Sequence, residues 1–258
     1  MKIDNYFEEQ GSGPAIVFIH GSYATTSSWK KMIETLAANH HCISIKLPGH
    51  CGTPDPEDFS NPSIETELEI LGQVVKSLTD EPIHLVGHSY GGVVALAQAL
   101  KGNLKVSQLS LFEPVAVSVL DAEMSVVVKG FLAKYRQDVA NKVPFACGQV
   151  IEFWGGKGSF ESLPDFIKKG MESLVANNIR HWDSEAVMDC KAVDLQKLSV
   201  PTRLICGTQS NPVAHAICDH LHNQIPHSKK YIIDGASHFL VTSHVDECLE
   251  TLCDQSIS

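Results

Sequence analysis

Short apolar runs alternate along the chain with longer stretches of mixed polarity. AIVFIH (15–20), HCISIKL (41–47), IHLVGH (83–88), VSQLSLFE (106–113), PTRLICG (201–207) and KKYIIDG (229–235) are rich in β-branched residues and bounded by turn residues, a pattern that predicts six buried strands. Between them, apolar positions at helical spacing predict helices over 28–39, 63–79, 91–100, 213–224 and 244–254. Strand and helix in alternation predict an α/β fold with a mostly parallel sheet covered on both faces, because right-handed crossovers put the helices there. IDNYFEEQG, ahead of the first buried strand, reads as an antiparallel edge. Residues 115–198 break the rhythm. FLAKYRQDV, EFWGGKGSF, DFIKKGMESLV and RHWDSEAVM carry helical patterns and no clear strand, so the chain is expected to divide into a core of 1–114 and 199–258 and an inserted helical cap of 115–198.

Composition narrows the function. With 258 residues, 43% of them hydrophobic, the chain can bury a full core without disulfides or structural metal. No apolar run approaches the roughly 18 residues of a membrane span, and the first ten residues are polar and acidic, which reads as cytoplasmic. The eight cysteines are scattered and read as reduced, buried thiols. The thirteen histidines form no metal-ligand spacing, so no metal is expected. A net charge of -10 disfavours nucleic acid and anionic membranes, which leaves a small-molecule substrate as the expected partner and a homo-oligomer open.

The candidate chemistry begins at GHSYGG (87–92). A serine between glycines, where a strand must reverse into a helix, is forced into a strained conformation that raises its hydroxyl above the carboxyl ends of the strands. Ser89 is thus a candidate nucleophile, although an N-cap serine in a glycine-rich turn would read the same. HGSYATTSSW (20–29) follows the first central strand, and the Ser22 N–H is a candidate oxyanion donor together with the N–H of Tyr90. KLPGHCGTPDP (46–56) turns at the same sheet edge. DGASHFLVTSH (234–244) places His238 past the last strand, where it is either a general base for Ser89 or a surface-loop histidine.

These motifs together resemble an α/β-hydrolase-fold protein: HG, LPGH, the GHSYGG nucleophile elbow, a cap insertion and GASH, in that order and across essentially the whole chain. The resemblance implies Ser89 as nucleophile and His238 as base. Most relatives carry the triad aspartate in the loop after the strand that follows the cap, but here that loop is GTQSNPV (207–213), without a carboxylate. Some branches of the fold, haloalkane dehalogenases among them, take the acid from the strand before the cap, which here ends LSLFEPV. That implies Glu113 as the acid, against a simple role at the cap entry; Asp194 and Asp219 fit worse. A serine at position 89 points to acyl transfer to water, hence a carboxylesterase-like hydrolase that needs no cofactor. Phe131, Phe153, Trp154, Phe160, Trp182 and Met188 are candidates for the substrate wall, or else for the cap's own core, and Gly155-Gly156 reads as a hinge or a helix stop. Two alternatives remain: other chemistry on the same fold, such as C–C bond hydrolysis, a lyase or a cofactor-free peroxidase, and a ligand receptor with vestigial turnover.

Overall fold

In a computed structural model of the protein, which describes residues 2–186, 188, 192–254 and 256–257, seven strands form one sheet. The elements in chain order are β1 (Phe7–Gln10), β2 (Ala15–Ile19), α1 (Lys30–Leu36), β3 (His41–Ile45), α2 (Glu65–Leu78), β4 (Ile83–His88), α3 (Tyr90–Lys101) and β5 (Val106–Phe112). Helices α4 (Ala122–Ala140), α5 (Cys147–Gly155), α6 (Asp165–Ser173), α7 (Val175–Ala186) and α8 (Ala192–Leu195) follow. The chain then returns to the sheet through β6 (Thr202–Gly207), α9 (Pro212–Gln224), β7 (Ser228–Ile233), α10 (Leu240–Ser243) and α11 (Val245–Cys253). The strand order is β1-β3-β2-β4-β5-β6-β7, with β1 antiparallel to β3 and every other pairing parallel.

The central apolar runs become strands because both of their faces are covered. All five residues of β2 and all six of β6 are buried. Helices α2, α3 and α9 pack on one face in a core that includes Leu71, Val93, Leu96 and Ile217. Helices α1 and α11 cover the other, where Trp29, Met32, Cys248 and Leu252 meet Phe18 and Phe112. From Tyr90 to Ala99, α3 is buried on every side, as a helix apolar all round must be. The sheet changes winding direction between β2 and β4, and their carboxyl ends open the crevice in which ligands of such sheets bind.

The expected strands are present with ends shifted by at most two residues, but β7 is not the buried strand expected: it lies at the sheet edge, where Ile233 is buried and Ile232 is exposed; α10 is a short helix that the periodicity missed. Gly155-Gly156 is a helix stop: α5 ends there, and Gly156 has φ 93°. The thiols of Cys42, Cys147, Cys206, Cys218 and Cys248 are buried, whereas Cys51 is half-buried and Cys253, at the end of α11, is exposed; Cys190 lies outside the described residues. Among the described residues no His, Cys, Asp and Glu cluster could hold a metal ion, and no helix is long and apolar enough to cross a membrane.

Helix α7 buries an unusual face, since Asn177, Asn178, Arg180, His181, Ser184 and Glu185 are all buried with Trp182. Polar groups are stable there only if the surroundings satisfy them. Arg180, 1% exposed, donates to Asp58 Oδ2 at 2.7 Å and to both carboxylate oxygens of Glu67, and Asn177 Nδ2 donates to Asp55 at 3.1 Å. Burial alone would raise the pKa of Asp58, but Arg180, the Ser63 N–H and the Thr66 hydroxyl bring it down to about 2. Arg180 thus bolts α7 to α2 and to the loop after β3. Removing one partner of such a group leaves an uncompensated buried charge, so Arg180→Met is expected to cost about 3–5 kcal/mol in urea unfolding. Adding Glu67→Leu should recover part of that loss. A single-variant loss below about 1 kcal/mol would mean that water solvates the freed carboxylates.

Candidate active site

The turn from β4 into α3 packs too tightly for side chains. A Cβ on Gly87 would lie 2.2 Å from the Gly91 carbonyl oxygen, and one on Gly91 would lie 2.2 Å from the Ile19 carbonyl oxygen. Ser89 between them takes φ 55° and ψ -123°, outside the regions that non-glycine residues favour. Its N–H donates to Phe112 O at 3.0 Å and its carbonyl accepts from Gly92 N at 2.9 Å, so the strain is held from both sides. Its side chain lines a cavity of about 530 Å³, within the usual range of small-molecule sites.

The loop after β2 closes over this serine. A Cβ on Gly21 would stand 3.0 Å from Ser89 Cβ. His20 Nδ1–H donates to Gly21 O at 2.8 Å, and its Nε2 accepts from Leu47 N at 3.3 Å, which fixes a neutral tautomer; burial pushes its pKa down to about 3. From the LPGH turn, His50 Nε2 lies 2.6 Å from Ser22 O and donates to it. The two motif histidines thus set the path of the loop that carries Ser22. Tyr90 is the first residue of α3, where backbone N–H groups lack helical acceptors, and Ser22 and Tyr90 both line the cavity with Ser89.

Past β7, His238 enters the same cavity and is 4% exposed. Its Nδ1 lies 2.9 Å from Glu113 Oε2. A proton shared on that side leaves Nε2 as the ring's acceptor. The His238 carbonyl accepts from His88 Nε2 at 2.8 Å, and Trp154 stacks on the ring with centroids 5.3 Å apart. Burial pushes the pKa of His88 down to about 3, so this neighbouring histidine stays neutral.

Glu113 sits just beyond β5 at φ 43°, a second strained residue at a strand end, and is 1% exposed. The loop without a carboxylate, 207–213, serves it as a set of donors: Gly207 N donates to Oε1 at 2.9 Å, and the Ser210 hydroxyl donates to the same oxygen. Burial opposes ionisation of Glu113, but His238, Ser210 and Gly207 outweigh it and hold the carboxyl below its ordinary range. Asn211 caps α9 by accepting from Ala214 N at 2.9 Å and donates to Phe153 O at 2.6 Å. Asp219 pairs with Lys230 and Asp194 with Lys197, both at the surface.

Of the expected wall residues, Trp154 and Trp182 line the cavity, stacked with centroids 6.1 Å apart. Phe131 and Phe153 do not. They stack on each other, with centroids 4.2 Å apart, against the core, because the helical insertion must bury apolar faces of its own. Phe160 packs with Cys147 and Ile151, and Met188 also lies against the core. The apolar wall comes instead from Val150, Ile151, Leu163, Ile167, Met171 and Phe239. Sequence reasoning passed over Ser210, His88 and the polar face of α7. The spacing of Asn178, His181, Trp182 and Glu185, i, i+3, i+4 and i+7, was the signal that one helical face carries them all. Glu185 is 2% exposed, its Oε1 accepts from Ser118 N at 2.7 Å, and burial lifts its pKa to about 7.

The model of the alpha/beta hydrolase family matches residues 16–251. The monoacylglycerol lipase ABHD6 of Bos taurus is 25% identical over 264 residues, which cover 95% of this chain and 75% of the relative. A Haemophilus influenzae protein named as a 2-succinyl-6-hydroxy-2,4-cyclohexadiene-1-carboxylate synthase is 38% identical over 95 residues, 36% of this chain and 37% of the relative. Among solved structures, MenH from S. aureus superposes with a TM-score of 0.79 at 21% identity, covering 96% of each chain, a likeness of fold.

A carboxylate held below its ordinary pKa stabilises the fold above the pKa it has when unfolded, about 4.3, and that contribution is lost as pH falls through the lowered folded value. Glu113→Gln lacks this titration. The gap in unfolding free energy between wild type and Glu113→Gln is therefore expected to shrink between pH 7 and pH 3. A gap that stayed constant or widened would mean that Glu113 is not ionised in the folded protein.

Proposed function

This chain belongs to the alpha/beta hydrolase family, and on that premise we propose that it is a serine hydrolase cleaving an ester, or a related acyl bond, of a small, neutral and largely apolar molecule. The observation that carries this reading is the buried Glu113–His238 hydrogen bond beside a cavity that His238 shares with the strained Ser89. In this reading His238 Nε2 takes the Ser89 proton as Oγ attacks the acyl carbon, and Glu113 stabilises the imidazolium that forms. The N–H groups of Ser22 and Tyr90 hold the oxyanion, and the dipole of α3 favours negative charge at the same end. The leaving alcohol takes the proton from His238, which then draws one from water to hydrolyse the acyl-enzyme.

Residues 115–198 serve as a cap in this reading: α5, α6 and α7 supply walls of the cavity above Ser89. The name of the ABHD6 relative supports acyl-ester hydrolysis. The Haemophilus influenzae relative is named for a carboxylate-bearing molecule, whereas no Lys or Arg is among the lining residues of this cavity and Glu185 is. Burying a carboxylate without a cationic partner is costly, and this favours a neutral substrate.

Two measurements test the reading. Ser89→Ala is expected to abolish fluorophosphonate labelling and ester turnover in a folded protein, and Glu113→Gln to lower kcat by about 10³- to 10⁴-fold, with Asn211→Ala and Asp219→Asn near wild type. Turnover that survives in Ser89→Ala overturns the serine mechanism, and a loss confined to one of the controls overturns Glu113 as the acid. In the second test, esters matched in acyl length are compared with and without a free distal carboxylate. The neutral ester is expected to have a kcat/KM higher by about tenfold or more, equivalent to about 1.4 kcal/mol. The gap should widen as pH rises through about 7, where Glu185 takes on its charge. A preference for the carboxylate ester would refute the neutral-substrate assignment.

A further inference from the structure

Ser22 and Tyr90, the two residues whose N–H groups form the oxyanion hole in the reading above, come from different parts of the core, the loop after β2 and the start of α3. Both are gripped by the same side chain of α7. The Ser22 hydroxyl lies 2.7 Å from His181 Nδ1, sharing one proton with it, and accepts from Asn178 Nδ2 at 2.8 Å. The His181 ring lies flat on the Tyr90 ring, with centroids 3.8 Å apart and planes 10° apart. One turn further on, Ser184 Oγ is 2.9 Å from the Tyr90 hydroxyl and donates to the His181 carbonyl at 3.0 Å, so that Tyr90 Oη donates to Ser184 Oγ.

The ring itself has no freedom. It is 2% exposed, its second face stacks on His50 at 5.5 Å, and Nε2 points toward Glu67 Oε1, 3.9 Å away. Burial, together with His50 and Arg180, holds its pKa well below the ordinary histidine value, so the ring is neutral. Ser22 is fixed from its other side by His50, which donates to its carbonyl at 2.6 Å.

We infer that His181 is a positioning residue, which rests on the serine-hydrolase reading: it sets the spacing of the Ser22 and Tyr90 amides and makes the oxyanion hole depend on the docking of α7. A hole assembled from two separate segments stabilises the transition state only if both donors are held in place before charge develops. His181 touches neither amide and acts through the Ser22 hydroxyl and the Tyr90 ring.

The test uses His181→Phe, which keeps a ring on Tyr90 and removes the ring nitrogen, and Ser22→Ala, which breaks the same bond from the other end together with the one from Asn178 Nδ2. Each is measured with a neutral ester and with a trifluoromethyl ketone, to whose carbonyl carbon Ser89 Oγ adds while its proton passes to His238. Both variants are expected to lower kcat about 10- to 100-fold per folded molecule, with little change in KM, and to weaken the ketone adduct by a similar factor. Binding of an unreactive substrate analogue should not move. The double variant should fall no further than the worse single variant, within about twofold, because each removes the Ser22–His181 bond and the second change finds it already gone. Normal kcat and adduct affinity in Ser22→Ala, or equal weakening of analogue and adduct, overturns the inference. Strictly additive effects do so as well. Loss of turnover in Ser89→Ala beside normal His181→Phe and Ser22→Ala would sink this inference alone, whereas full turnover in Ser89→Ala would remove the reading beneath it.

Discussion

The contact between β2 and the start of α3 governs the architecture around the cavity. Gly91 lies so close to the Ile19 and His20 carbonyls that no side chain fits, and Gly87 lies as close to Gly91. This approach brings the helix over the sheet with no room for a relaxed turn, and the strain falls on Ser89. Because the neighbouring backbone hydrogen bonds are satisfied and α3 is buried on every side, the sheet holds the strained residue in place. The same contact brings the loop after β2 against Ser89. A feature that looks local, a serine between two glycines, is thus imposed by the packing of three core elements.

Glu113 and Arg180 are both buried, and each charge is resolved in a different way. Glu113 is served by one ring nitrogen, one hydroxyl and one backbone N–H, so its ionised form is solvated by protein. Arg180 shares its donors between Asp58 and Glu67 and draws the polar face of α7 onto the core. Neither arrangement is cheap, because desolvation opposes both. What they provide is geometry: one fixes the orientation of His238, and the other fixes the helix whose next residue, His181, meets Ser22 and Tyr90.

The loop 207–213 shows how chemistry can move between strand ends. It sits beside β5 because β6 pairs with β5, so a carboxylate at the end of either strand reaches the same region. Here β5 carries Glu113, and the β6 loop supplies Gly207 N–H and the Ser210 hydroxyl to it. Donors have taken the place where an acid was expected.

The fold class, the approximate bounds of six strands and the motifs that meet at one sheet edge were legible along the chain. These are encoded in period and in turn chemistry, which are local properties. That Ser89, His238 and Glu113 stand at strand ends was legible from turn motifs too, while the roles expected of them came from the family resemblance. The walls of the cavity were not legible. Phe131 and Phe153 have the same apolar character as Trp154 and Trp182, and only the docking of the inserted helices decided which pair stacks on itself, half-buried, and which lines the cavity. Nor did the sequence reveal that Asn178, His181 and Glu185 face the cavity or the loops beside it, since helical spacing shows that residues share a face and not what that face meets. The tertiary structure decided this, because a buried polar face is stable only where distant segments, here Ser22, Tyr90 and Ser118, arrive to satisfy it.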